Sequence, residues 1–143
     1  MIADFAAAAV NMARELEITL DYSEASLERL ETLLDGLFRD IHHPAVRDLE
    51  QPPAPSGEQM DDLCRLWGSY FGEVVRRRWG GEWALEQYPG KPFATLVLNI
   101  AGTKLFPSLK IFRRLTEGDG DNVWSFYEQV RAKLAAAPGA RVQ

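Results

Sequence analysis

The segment "SGEQMDDLCRLWGSYFGEVVRRRWGG", Ser56 to Gly81, constrains this chain more than any other part of it. Ser56 followed by Gln59 is the capping-box pattern that opens a helix, and the Gly80-Gly81 pair supplies a stop after Trp79. With successive residues turned by about 100°, Met60, Leu63, Cys64, Trp67, Gly68, Phe71, Gly72, Val74, Val75 and Trp79 gather on one arc. That arc covers roughly half the circumference. Covering it takes more than one neighbour, so this is expected to be the central helix. Gly68 and Gly72 lie on the arc four residues apart, each costing about 1 kcal/mol relative to alanine inside a helix. Close approach of another backbone or ring is the expected compensation, and a ligand notch is the alternative.

The opposite arc holds Leu66, Ser69, Glu73, Arg76 and Arg77. There Glu73 is expected as an exposed partner of Arg77, with neither burial nor a like charge to raise its pKa for catalysis. Arg78 falls on the apolar arc in the last turn, where it can snorkel outward and favour the helix dipole. The sharper alternative for Arg78 is an anion site between Trp79 and Trp83.

Around this helix the chain alternates between helical and extended patterns. Residues 2–14 are alanine-rich without Gly or Pro, which predicts a helix, and "LEITLDY" alternates in the manner of a short strand. Ser23 is placed to cap a helix over about 23–41, carried by Leu27, Leu30, Leu33, Leu34, Leu37, Phe38 and Ile41. Residues 42–56 hold four of the eight prolines and no periodicity, so they read as an irregular connection. "EWALEQY", a Pro89-Gly90 turn and "FATLVLNI" predict a hairpin, and Ala101-Gly102 leads into a third strand, "TKLF". Pro107 suits the first position of a helix ended by Gly118. Asp121 is placed to cap a last helix bearing Val123, Phe126, Tyr127, Val130 and Leu134, after which 138–143 should fray. The expected fold is α+β within one domain spanning 1–143: an antiparallel meander of about three strands against several helices. Two N-terminal helices and the central one precede the sheet, and one or two follow it.

Several chemistries are excluded or disfavoured by the same residues. With 46% hydrophobic and 26% charged residues the chain has a globular rather than a disordered composition, and its charge of −5 disfavours nonspecific nucleic-acid binding. "KIFRR", Lys110 to Arg114, together with Arg76 to Arg78, is the only basic surface in prospect. Cys64, the single cysteine, rules out an internal disulfide, and on the apolar arc it is expected as a core thiol rather than a nucleophile. His42-His43 lacks further ligands at metal-binding spacing, so neither metal nor cofactor is expected. "EGDGDN" continues into Val123 without the closing glutamate of a calcium loop. "MIADFAAAAV" lacks a basic start, and no apolar run approaches twenty residues, so the expected location is the cytoplasm, off the membrane.

The stretches "LDYSEASLERLETLLDGL", "GSYFGEVVRRRWGGEW" and "PSLKIFRRLTEGDGDNVWSFYE" together resemble a group of small bacterial domains of unknown function. The matching positions are Gly68, Tyr70, Gly72, Glu73, Gly81 and Trp83, within a span of about Leu20 to Glu128. The resemblance implies a bacterial source and a non-enzymatic role, and it supplies no catalytic residue.

Two functional readings follow. The first is a protein-interaction module, accessory or immunity-like, contacting a protein partner or a second copy of itself through Leu66 on the polar arc and Trp124 on the flank of its helix. Self-association through the N-terminal helix is one form of it. The alternative is a small-molecule or anion site, or a small enzyme, built from Gly68, Gly72, Glu73, Arg78, Trp79 and Trp83.

Overall fold

The computed structural model describes residues 1–42, 56–87, 90 and 94–136. The irregular connection expected over 42–56 and the tail over 138–143 fall, except for residues 42 and 56, outside them. The elements are α1 (Ile2–Glu15), α2 (Ser26–His42), α3 (Gly57–Trp79), β1 (Glu82–Gln87), β2 (Ala94–Ile100), β3 (Thr103–Leu105), α4 (Pro107–Glu117) and α5 (Val123–Ala136), with a short 3-10 turn at Asp119–Asp121. This is the α+β layout read from the sequence: three helices, an antiparallel three-stranded sheet in the order β1-β2-β3, then two helices.

The start of α3 closes as its sequence dictates. Ser56 Oγ accepts the Gln59 N–H at 3.2 Å, and the Gln59 side chain accepts the Ser56 N–H at 2.9 Å. Two of the helix's open donors are thereby satisfied reciprocally. In the sheet, Trp83 stands opposite Leu98 and Leu85 opposite Leu96, and Leu98 also faces Leu105. Side chains alternate between faces along a strand, so these five share one face. Ala101 and Gly102 join β2 to β3 with φ of 49° and 79°, the left-handed pair of a tight hairpin turn. Of the expected Pro89-Gly90 turn, only Gly90 is among the described residues, with φ 76°.

Two local expectations fail for physical reasons. "LEITLDY" is not a strand. Glu17 takes a left-handed conformation (φ 62°) and donates to Arg14 O at 2.9 Å, while Ile18 donates to Ala13 O at 2.9 Å, a helix-closing motif usually built on glycine. The alternation of Leu16, Ile18 and Leu20 leaves Leu16 exposed and only Leu20 buried. Asp121 does not cap α5 either; Asn122 Oδ1 accepts the Ser125 N–H at 3.0 Å, and Asp121 instead pairs with Lys110 at 3.2 Å.

The core runs through every layer. Ala6, Ala9 and Ala13 form the buried stripe of α1, which packs on α3. Leu27, Leu30 and Leu34 of α2, Leu98 of β2, Ile111 and Leu115 of α4, and Tyr127 and Leu134 of α5 complete it. At the centre, every residue of α3 from Leu66 to Val75 is buried, so this middle stretch is covered on all sides.

Candidate functional site

Burial on every side of the middle of α3 overturns the polar arc at Leu66, Ser69 and Glu73, while Arg77 stays exposed. Leu66, expected at an interface, retains only 9% of its exposure and joins the core. Glu73, expected at the surface, is 4% exposed. Its carboxylate accepts Arg76 Nε at 3.1 Å, Arg76 Nη2 at 2.9 Å and Trp83 Nε1 at 2.9 Å, with Arg77 Nε at 3.7 Å. Burial by itself would raise the Glu73 pKa, but the hydrogen bonds from Arg76 and Trp83 and the charges of Arg76 and Arg77 outweigh it and hold the group below the usual range. An anion so held is a structural clamp and a poor general acid at neutral pH.

Trp83 explains the glycines. A Cβ on Gly72 would lie 2.1 Å from the Trp83 ring, and one on Gly68 would lie 2.7 Å from the Ser108 backbone. Strand β1 is riveted to α3 by one side chain, whose ring rests on Gly72 while its N–H reaches Glu73. The glycine face is thus occupied by protein atoms.

Arg78 and Trp79 belong to a second cluster. Arg78 Nε donates to Glu24 at 3.3 Å, and its guanidinium lies 4.7 Å from the centre of the Trp79 ring. Trp79 Nε1 donates to the Tyr127 hydroxyl at 3.1 Å, which itself hydrogen-bonds Glu24, and Arg131 approaches Glu24 at 3.7 Å. Burial, then the Glu24 carboxylate, pushes the Tyr127 phenol well above its ordinary range. Arg78 Nη1 is buried without a hydrogen-bond partner among the described residues. The six residues considered for a ligand site therefore divide between two clusters, Gly72, Glu73 and Trp83 in one and Arg78 and Trp79 in the other, with Gly68 against α4. Trp124 is half-buried beside Tyr127, their ring centres 6.0 Å apart.

The basic surface expected at "KIFRR" is likewise reorganised. Arg114 has 0% exposure, donating to Glu31 at 2.8 Å and 2.9 Å and to Asp35 at 2.8 Å. Glu31 also accepts the Val123 N–H at 2.9 Å, so one carboxylate joins α2, α4 and the start of α5. Sequence reading missed this cluster, although Glu31 stands among Leu27, Leu30 and Leu34 on the apolar side of α2, where a lone carboxylate calls for a buried partner.

Where the sheet overhangs the helices, a groove of about 780 Å³ opens. It is lined by Met1 and Phe5 of α1 and its start, by Asp61, Cys64 and Arg65 of α3, by Leu85 and Leu96 of the sheet, and by Leu109 and Phe112 of α4. Five large hydrophobic side chains are exposed among the described residues, and three of them line it: Met1 at 79%, Leu85 at 68% and Phe112 at 42%. Arg65 is engaged with Asp62 at 3.7 Å and lies 5.8 Å from the Phe5 ring centre, whereas Asp61 has no ion pair or hydrogen bond among the described residues. Burial, with Asp61 adding to it, raises the Cys64 thiol to about 12, so it stays protonated and unreactive at neutral pH.

Among the described residues no group of three or more His, Cys, Asp or Glu is placed to hold a metal ion, and no helix is long and apolar enough to cross a membrane. His42 is engaged through Nε2 with Leu115 O at 2.8 Å. No family model, curated protein or solved structure matches the chain.

Proposed function

We propose that the chain is a protein-interaction module that holds a segment of a partner protein in the groove between α1, α3, α4 and the sheet. The observation that carries this reading is the convergence of Met1, Leu85 and Phe112, otherwise costly exposed apolar side chains, on one concavity. Contiguous exposed apolar surface is what a partner's side chains cover. The resemblance to small bacterial domains fits an accessory or immunity-like role in a bacterial cytoplasm. For the rival reading, a small-molecule or anion site at Gly68, Gly72, Arg78 and Trp83, support is lacking: Ser108 and Trp83 fill the glycine notches, and Glu24 engages Arg78.

Site-specific photocross-linking in lysate of the source organism tests the proposal. A photoreactive residue at Leu85 or Phe112 is expected to capture one protein that the same residue at Met12 or Leu16, exposed apolar positions outside the groove lining, does not. The pair Leu85→Asp and Phe112→Ser should abolish that capture with an unchanged circular-dichroism spectrum. Equal capture from all four positions would refute the groove as the interface.

A further inference from the structure

We propose that the outer edge of β1 accepts a basic, alternating β-strand of the partner protein, extending the sheet to four strands. This rests on the groove reading above and names the partner's chemistry.

In the order β1-β2-β3, β1 lies at the end of the sheet, and from Glu82 to Glu86 its outward backbone groups have no hydrogen-bond partner among the described residues. Edge strands are ordinarily blunted by charged side chains, lysine above all, by proline, by a bulge or by a covering element, and of these β1 carries only the charges of Glu82 and Glu86 among the described residues. "EWALEQ" contains neither lysine nor proline, and it pairs with β2 residue for residue over its full length, without a bulge. It is therefore long and regular and, from Glu82 to Glu86 and among the described residues, open enough to template another strand.

The two faces of β1 specify what that strand carries. Leu85 projects on the side that lines the groove. An apolar residue directly opposite it on an added strand comes within about 5 Å and covers it. On the other face stand Glu82 and Glu86. Glu82 is exposed, with no ion pair or hydrogen bond among the described residues, and Glu86 is engaged with Lys104 and Asn99. Lysine or arginine opposite Glu82 on the incoming strand meets a carboxylate that has no ion pair among the described residues, and the lone Asp61 adds negative charge on the groove side. The same glutamates disfavour one of the two registers in which a second copy of this chain could pair. Antiparallel self-pairing centred on Ala84 sets Glu82 against Glu86 twice, and like charges directly opposite repel; the register centred on Leu85 overlaps equally and sets Glu86 against Ala84 and Leu85 against itself, the case that sedimentation distinguishes.

The test uses the full chain and an acetylated, amidated peptide of alternating lysine and valine matched in length to β1. Binding should protect the outward amides between Glu82 and Glu86 from hydrogen exchange. N-methylation of alternate peptide amides should abolish binding, because it removes the donors of the new ladder. A glutamate–valine peptide should bind about tenfold more weakly or worse. Glu82→Lys with Glu86→Lys should invert that preference. Equal binding of the N-methylated peptide, or no inversion, would overturn the proposal. So would sedimentation of the unliganded protein as a dimer that the peptide dissociates, which assigns the edge to a second copy. If the peptide experiments fail while Leu85 and Phe112 still cross-link a partner, the edge proposal falls and the groove reading stands. If the edge binds the peptide but nothing cross-links from those positions, the groove reading falls and takes with it the edge as the partner's site.

Discussion

Gly72 and Gly36 are both glycines inside helices, and their surroundings give substitution opposite signs. At Gly36 no described residue beyond its own helical turn lies within 4 Å of an added Cβ, so Gly36→Ala should stabilise by up to about 1 kcal/mol through helix propensity alone. At Gly72 the added carbon lies 2.1 Å from the Trp83 ring. Overpacking of about 1–3 kcal/mol then opposes the propensity gain, and displacing Trp83 also costs Glu73 a donor. Thermal melts should therefore move up for Gly36→Ala and down for Gly72→Ala. A Gly72→Ala protein melting at or above wild type would mean that Trp83 is not fixed on α3. Glu73 makes a prediction in pH. Its folded-state pKa lies below the ordinary 4.5, so its contribution is complete above that value and is lost as pH falls through the lowered pKa. The stability gap between wild type and Glu73→Gln should be widest near neutrality and narrow on acidification, as urea titrations over that range will read.

At the scale of the element, caps and closures decide where helices begin and end. α5 begins at Val123 with Asn122 as its capping side chain. Asn122→Ala should cost about 1 kcal/mol in chemical denaturation. Asp121→Ala removes only the partly exposed pair with Lys110 and should cost about 0.5 kcal/mol or less; the reverse ranking would restore Asp121 as the cap. The lost strand at "LEITLDY" belongs here too. Alternation over a few residues fits an extended segment of any kind, and a strand further requires a partner edge. Glu17 and Tyr22 both sit at positive φ, bending the segment away from the straight course a ladder demands. Neither residue type announces that conformation, because the usual signal is glycine or asparagine.

For the whole molecule, Arg114 is the junction. It is fully buried on α4 and holds Glu31 and Asp35 of α2, while Glu31 receives the first N–H of α5. Arg114→Met leaves a largely buried carboxylate without its countercharge, which should cost about 3–5 kcal/mol. Adding Glu31→Gln keeps an acceptor for Val123 and removes the stranded charge, so the double variant should be more stable than Arg114→Met alone. A double variant less stable than the single one would show that the carboxylate has another counterion. The order of elements behind this junction was legible from Ser56, Pro107, Gly80 and Gly118 and from the spacing of the leucines, because each of these acts on its own few neighbours. The junction itself was not legible, since Glu31 and Arg114 are 83 positions apart.

The same division of range accounts for what the sequence determined by itself. Period and capping set the five helices, the capping box of α3 and the β1–β2 pairing, since these depend on backbone geometry and on contacts within a turn or a hairpin. The width of the apolar arc on α3 foretold a central helix, yet half an arc could not reveal that the other half would be buried as well. That depended on α1 arriving with an alanine stripe and on Ser26 and Tyr22 meeting Tyr70. Once those elements pack, Leu66 leaves the surface, Glu73 becomes a clamp, and the exposed apolar side chains that meet in the groove include Leu85 and Phe112, which no helical wheel of α3 contains. Exposure is a property of the assembled layers, so the candidate interface was decided only by the tertiary structure.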